Sequence, residues 1–378
     1  RLIIGGAQEN TILTCEGLHA RGHRVTLISG PTTGPEGSLV ERAQRGGYEY
    51  VEIPALVRQI SPMRDAHAWR ELAGWFRRLA PDIVHTHSSK AGIVARLAAR
   101  SARVPVVVHT IHGMSFNRTQ SWVVQRAYAW LERLAARRTD AIVTVADAMG
   151  AQSVVAGVCR HEKLLTIYSG METDKFTPSA EARATVRRSW GVAESEVVVG
   201  TVARLFRNKG YEQLLPIMAA AAAREPRLRF LWIGDGAQRR HYESELVRFG
   251  LRERTVLTGL VPPAEIPHWL VGCDILAHTS QWEGLPRAVV QALLLQVPAV
   301  AFNIDGTPEV VLDGQTGRLA PLNDHAAFAT ALIELAADAE LRRRMGAAGR
   351  THCLDRFDAR RMVAELEQLY LRLARPKS

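Results

Sequence analysis

The stretch VVVGTVARLFRNKGYEQLLPIMAAAAAR, residues 197–224, decides the fold class. Its opening run, Val197 to Ala203, is short, apolar and rich in β-branched residues, as a strand buried on both faces must be. Its close, Tyr211 to Arg224, is an alanine-rich helical segment. Between them Arg204-Leu205-Phe206-Arg207-Asn208-Lys209-Gly210 carries cations and ends on glycine, so charge collects where a strand gives way to a helix. In a parallel sheet covered by helices, that carboxyl end of a strand is where ligands bind. Arg204 and Lys209 stand five residues apart in this loop and are read as clamping a diphosphate from two sides, guanidinium as a fork and ammonium as a point charge.

Downstream the same alternation repeats. Strands are expected at Arg229 to Ile233, Thr255 to Leu260, Asp274 to Thr279 and Pro298 to Phe302. Helices are expected at Ala237 to Phe249, Pro263 to Val271, Pro286 to Leu295, Asp324 to Ala336 and Asp358 to Leu373. Upstream lies an earlier series, with strands at Arg24 to Ser29, Tyr48 to Ile53, Asp82 to Thr86, Pro105 to Thr110, Ala141 to Val145 and Lys163 to Ile167. The polar stretch Tyr168 to Ala180, with Gly170 and Pro178, reads as a linker. The fold class is therefore α/β, two doubly wound Rossmann-like domains facing across a cleft. Residues 1–172 form the first, 173–357 the second, and 358–378 a terminal helix that crosses back to the first. With 378 residues, two cores are expected. Only Arg1 to Ile4 precede the first helix, so its strand is read as truncated and roughly 5–10 further residues are expected upstream.

Composition narrows the classes. Hydrophobic residues make up 47% and charged residues 23%, which excludes a disordered or collagen-like chain. No apolar run reaches the ~18 residues of a spanning helix. The four cysteines, Cys15, Cys159, Cys273 and Cys353, show no zinc-type spacing and suit a reducing cytosol; no metal site is indicated. The formal charge of +10 suits phosphate-bearing ligands or an anionic surface. No helix-turn-helix, zinc-finger or RNA-binding pattern accompanies it, so nucleic acid is not an expected partner.

Other strand ends carry candidate residues. Gly5-Gly6 before the first helix is either a tight turn or a set of bare amides for a phosphate. Gly234 and Gly236 flank Asp235 at the next strand end, where absent side chains let a flat base approach. Glu283 follows another strand, placed to accept hydrogen bonds from sugar hydroxyls, and the amides of Gly284 and Leu285 behind it suit phosphate oxygens. Gln291, eight positions on, either bonds a diol or packs. His112, last before Gly113, is the histidine of HTIHG that alternation sends with Thr110 to one face. Trp69, Trp75 and Phe76 beside Arg70, Arg77 and Arg78, and Trp122 and Trp130 beside Arg126, Arg133, Arg137 and Arg138, are either core or a basic aromatic face for anionic lipid.

Together these motifs resemble the retaining GT-B glycosyltransferases of family 4, the "glycosyl transferases group 1" proteins. The resemblance is carried by GGAQEN (5–10), HTHSSKAG (85–92), HTIHG (109–113), VARLFRNKG (202–210), IGDG (233–236), EGLPRAVVQAL (283–293) and DGTPEVVLDGQTGRL (305–319). It implies that Arg204 and Lys209 neutralise a donor diphosphate and that Glu283 is the first carboxylate of the E-x7-E element. It likewise implies that His112 meets the transferred sugar, Gly6 is the phosphate-loop glycine, and Gly234 and Gly236 lie near the nucleotide. Gln291 stands where the second glutamate is usual. The implied reaction is metal-independent transfer, with retention, from a nucleoside diphosphate sugar to a saccharide or lipid-linked acceptor. It belongs to cell-surface polysaccharide or glycolipid synthesis, in the cytoplasm or peripheral on the membrane. A nucleotide-sugar epimerase of the same architecture, or a non-catalytic nucleotide-sugar-binding protein, is the alternative.

Overall fold

The computed structural model describes residues 1–33, 37–114 and 120–374. The chain divides into two units: Arg1–Met171 with Ala359–Ser378, and Glu172–Asp358.

The first unit holds strands β1 (Thr26–Ser29), β2 (Glu49–Glu52), β3 (Ile83–His87), β4 (Val106–Ile111), β5 (Ala141–Thr144) and β6 (Leu164–Thr166). Its helices are α1 (Gly6–Ala20), α2 (Val40–Gln44), α3 (Pro62–Leu79), α4 (Ser89–Ser101), α5 (Trp122–Ala136) and α6 (Asp147–Val155). Parallel pairing joins β3-β4-β5-β6 into one sheet and β1-β2 into another. Between the facing edges of β1 and β3 lies a cavity of about 560 Å³, lined by Leu27, Ile28, Val84, Thr86, Leu72 and Tyr370 among others.

The second unit contains α7 (Ala180–Ser189), β7 (Val197–Val202), α8 (Tyr211–Arg224), β8 (Leu228–Ile233), α9 (Arg239–Arg248) and β9 (Thr255–Leu257). It continues with α10 (Ile266–Leu270), β10 (Ile275–His278), α11 (Arg287–Leu294), β11 (Ala299–Phe302), α12 (Thr307–Val310), β12 (Gly317–Ala320), α13 (His325–Ala337) and α14 (Ala339–Arg356). One parallel sheet runs β12-β11-β10-β7-β8-β9. The strands are buried on both faces, which is why they read as unbroken apolar runs. The chain leaves β7 toward β8 and β9, then jumps to β10 on the other side of β7. The strand order therefore reverses between β7 and β10, and a doubly wound sheet opens its ligand crevice at such a reversal.

The last helix, α15 (Ala359–Ala374), belongs to the first unit. Its Met362, Val363, Leu366 and Leu369 share a core with Leu13 and Leu18 of α1 and Val106 and Val108 of β4. Approach is close: a Cβ on Gly17 would come within 2.6 Å of Val363.

The expected strands are present with small shifts of boundary. Five elements went unforeseen: the short helices α2 and α12, together with α7, α14 and β12. α7 is strongly polar, but Arg183 and Arg187 bind both oxygens of Asp274 at 2.5 and 2.8 Å, anchoring it to the start of β10. α14 lacks an apolar stripe because Gly346 and Gly349 let its backbone approach; a Cβ at Gly346 would lie 1.9 Å from the Gln296 carbonyl. β12 is short and only half apolar.

In the first unit Arg96 donates to Glu132 at 2.7 Å with side-chain exposures of 0% and 7%. Breaking a buried pair strands the surviving charge, so Glu132→Ala is expected to cost about 3–5 kcal/mol. The double variant Arg96→Met/Glu132→Leu should recover most of that loss; thermal and urea unfolding of both checks it.

Candidate functional site

The reversal between β7 and β10 is where the second unit gathers its polar side chains. After β7 the chain runs through a short turn, Arg207–Lys209, to Gly210, whose φ of 78° is left-handed. A side chain at Gly210 is excluded twice over, by that φ and by the Thr279 carbonyl 1.8 Å from where a Cβ would sit. The Thr279 hydroxyl donates to the Gly210 carbonyl at 2.9 Å, and the Gln281 backbone N–H to the Asn208 carbonyl at 3.4 Å. Two loops from neighbouring strands are thus stitched together. The stitching sets Lys209 Nζ 2.7 Å from Glu283 Oε1.

Glu283 is fixed by Asp305 and Lys209, with His278 facing it. Its backbone N–H donates to the Asp305 carboxylate at 2.9 Å, Lys209 holds Oε1, and His278 Nε2 lies 3.5 Å from that same oxygen. Burial pushes the Glu283 carboxyl up, but the Lys209 ammonium, with His278, pulls it down further and holds it well below the usual carboxylate range. The group is a carboxylate at neutral pH, an acceptor for hydroxyl donors. Asp305 and His278 were not singled out from sequence. Asp305 takes a left-handed φ of 45°, which aspartate tolerates.

Arg204 is exposed, its guanidinium 5.0 Å from the Phe206 ring centroid, and Lys209 is paired with Glu283. Gly234 and Gly236 have a use other than open space for a base. Side chains there would lie 2.3 Å from the Ala203 carbonyl and 2.6 Å from the Leu205 carbonyl, so both glycines let two loops of the protein pack. Helix α11 starts at Arg287 with Pro286 as its N-cap. Glu283 therefore precedes the helix, whereas Gln291 lies on it. Gln291 is half-buried on α11; Gly284 and Leu285 are buried.

In the first unit, β3 and β4 bring four histidines together. His87 Nδ1 and His112 Nε2 are 2.9 Å apart with rings stacked at 5.2 Å. His85 Nε2 pairs with the Thr110 hydroxyl at 2.7 Å and its Nδ1 with the Tyr370 hydroxyl of α15. His109, on the opposite face as alternation requires, pairs with Thr86 at 2.9 Å. Burial pushes His87 down to about 4 and drives His85 and His109 well below the usual imidazole range, so all three are neutral near pH 7. His112 lines a cavity of about 50 Å³ with Thr110, Ser88, Ser89 and Ala7. Gly5 is the N-cap of α1 and Gly6 its first residue. Among the described residues, no group of His, Cys, Asp or Glu is arranged to hold a metal ion.

The two aromatic groups separate. Phe76 is core, with Trp69 and Trp75 packed against it, whereas Trp122 is 67% and Trp130 59% exposed on α5. Among the described residues no helix is long and apolar enough to cross a membrane.

Two Rossmann-like units are the architecture of the GT-B class, and the second pairs a lysine with a carboxylate at its strand-order reversal. Residues 4–175 match the model of Glycosyltransferase Family 4 and residues 182–352 that of Glycosyl transferases group 1. The chain belongs to this family, as its motifs led one to expect. It is 30% identical over 330 residues to the UDP-Gal:alpha-D-GlcNAc-diphosphoundecaprenol alpha-1,3-galactosyltransferase of Escherichia coli, covering 84% of this chain and 82% of that one. It is 28% identical over 364 residues to the GDP-mannose-dependent alpha-(1-6)-phosphatidylinositol monomannoside mannosyltransferase of Mycolicibacterium smegmatis, covering 92% and 90%. In fold it is similar to Anabaena HepE in complex with UDP and glucose, with a TM-score of 0.82 at 22% identity over 97% of this chain and 95% of that one.

The Glu283 carboxylate carries a sign for pH. Its folded value lies below the ordinary 4.5, so its contribution is complete above that value and lost as pH falls through and below it. The stability gap between the native protein and Glu283→Gln is therefore expected to be widest above about pH 5 and to narrow toward pH 3. Melting curves across that range test it; a gap independent of pH refutes the ion pair.

Proposed function

We propose that this glycosyltransferase moves a sugar from a nucleoside diphosphate donor to a saccharide or lipid-linked acceptor, with retention of anomeric configuration. The observation that carries the reading is Lys209 on Glu283 at the reversal between β7 and β10. Breaking the bond from the anomeric carbon to a diphosphate builds negative charge on the departing oxygen, which preorganised cations stabilise. Lys209 supplies one such charge, and Arg204, on the same loop and exposed, a second. Glu283, ionised and anchored by Asp305, accepts from the sugar's hydroxyls. In the retaining reaction the acceptor hydroxyl enters on the leaving group's own side and the departing phosphate oxygen takes its proton. His112, held by His87, is the first unit's residue assigned to the sugar. Relatives whose names specify UDP-Gal and GDP-mannose support a nucleotide-sugar donor.

Those same relatives act, by name, on diphosphoundecaprenol and phosphatidylinositol carriers, which favours an acceptor at a membrane surface. Helix α5 suits docking there. Trp122, Val123, Trp130 and Leu134 are exposed beside exposed Arg126, Arg137 and Arg138, the mixture that inserts apolar groups at the headgroup boundary while cations meet anionic lipid.

Lys209→Ala is expected to lower kcat by about 10²–10³, the loss typical of one charge-stabilising donor. Turnover at the native rate, measured as release of nucleoside diphosphate, would end the assignment. The protein should sediment with phosphatidylglycerol vesicles at low salt, and Trp122→Ser/Trp130→Ser should stay in the supernatant. Equal sedimentation of both removes α5 as the docking face.

A further inference from the structure

Resting on the donor reading above, we infer that His278 is a positioning residue that takes hold of the Glu283 carboxylate when Lys209 turns to the donor's diphosphate. His278 ends β10, between β7 and β11, and is buried to 7% exposure. Its Nε2 is fully buried and has no hydrogen-bond partner, yet it lies 3.5 Å from Oε1 of Glu283, the oxygen Lys209 already occupies at 2.7 Å. Buried ring nitrogens are ordinarily partnered, so one left facing an engaged carboxylate asks for an explanation.

Exchange of partners provides it. One ammonium cannot serve a carboxylate and an incoming diphosphate at full strength, and the diphosphate carries the greater charge. A buried carboxylate that loses its cation is left uncompensated, a penalty that would oppose donor binding. An approach of about half an ångström brings Nε2–H into hydrogen-bond range of Oε1. The imidazole needs only its Nε2–H tautomer for this, and no proton leaves the pair. Asp305 keeps the Glu283 backbone in place throughout. Glu283 thus stays ionised and oriented toward sugar hydroxyls while Lys209 is released.

The test measures binding of inorganic pyrophosphate by calorimetry to the full chain and to His278→Leu, His278→Gln and Lys209→Ala, with melting temperatures alongside. His278→Leu is expected to weaken pyrophosphate about tenfold, the worth of one hydrogen bond to a charged group. His278→Gln, which keeps an N–H donor, should bind within about threefold of the native protein, a fraction of that same hydrogen bond. Adding His278→Leu to Lys209→Ala should produce no further loss, because without the lysine there is no exchange; a purely structural role would add. If the leucine variant does not fold, His278→Asn, whose amide is too short to reach, replaces it. Loss in Lys209→Ala with native affinity in His278→Leu overturns the role of His278 alone. Equal losses in the leucine and glutamine variants overturn it too. Native affinity in Lys209→Ala instead overturns the donor reading beneath it.

Discussion

A carboxylate removed from water needs a cation at hydrogen-bond distance, and the arrangement around β7 and β10 follows from meeting that need at Glu283. Lys209 reaches it because the β7 loop lies flat against the end of β10. The loop lies flat because residue 210 has no side chain and takes a left-handed turn, and because Thr279 and Gln281 bond across the seam. Asp305, arriving from beyond β11, fixes the backbone that carries the carboxylate. Each contact is local and modest. Together they place opposite charges at the one point where the strand order of the sheet reverses.

Much of this was legible in the sequence because it depends on residue type and period. Val197 to Ala203 reads as a buried parallel strand, the cationic loop reads as a ligand loop, and Glu283 reads as a strand-end carboxylate. What escaped depends on distance in space. Nothing in the string Ala277-His278-Thr279-Ser280 says that His278 faces Glu283, five positions on and around a bend. Nothing in the sequence says that a Cβ at Gly234 or Gly236 would collide with the Ala203 or Leu205 carbonyl. The polar helix α7 goes unread because its partner Asp274 lies 87 positions from Arg187.

The first unit reaches polarity by another route. His85, His87 and His109, on β3 and β4, are neutral near pH 7, and each is satisfied by a hydroxyl or another ring. At the reversal between β7 and β10 the facing polar groups are charged, whereas at the ends of β3 and β4 neutral rings and hydroxyls bond one another. The aromatic residues divide in a similar way: Phe76 closes a core, while Trp122 and Trp130 remain on the outside of α5.

The return of α15 has a consequence for biosynthesis. The first unit is written in two separate stretches of the message, with the second unit inserted between them. As the polypeptide emerges from the ribosome, α1 and β4 wait uncovered until Met362, Val363, Leu366 and Leu369 appear, and His85 waits for Tyr370. The inserted unit is complete by Asp358 and free to fold first. The earlier-made half finishes last, and any premature stop before residue 359 leaves it without its covering helix.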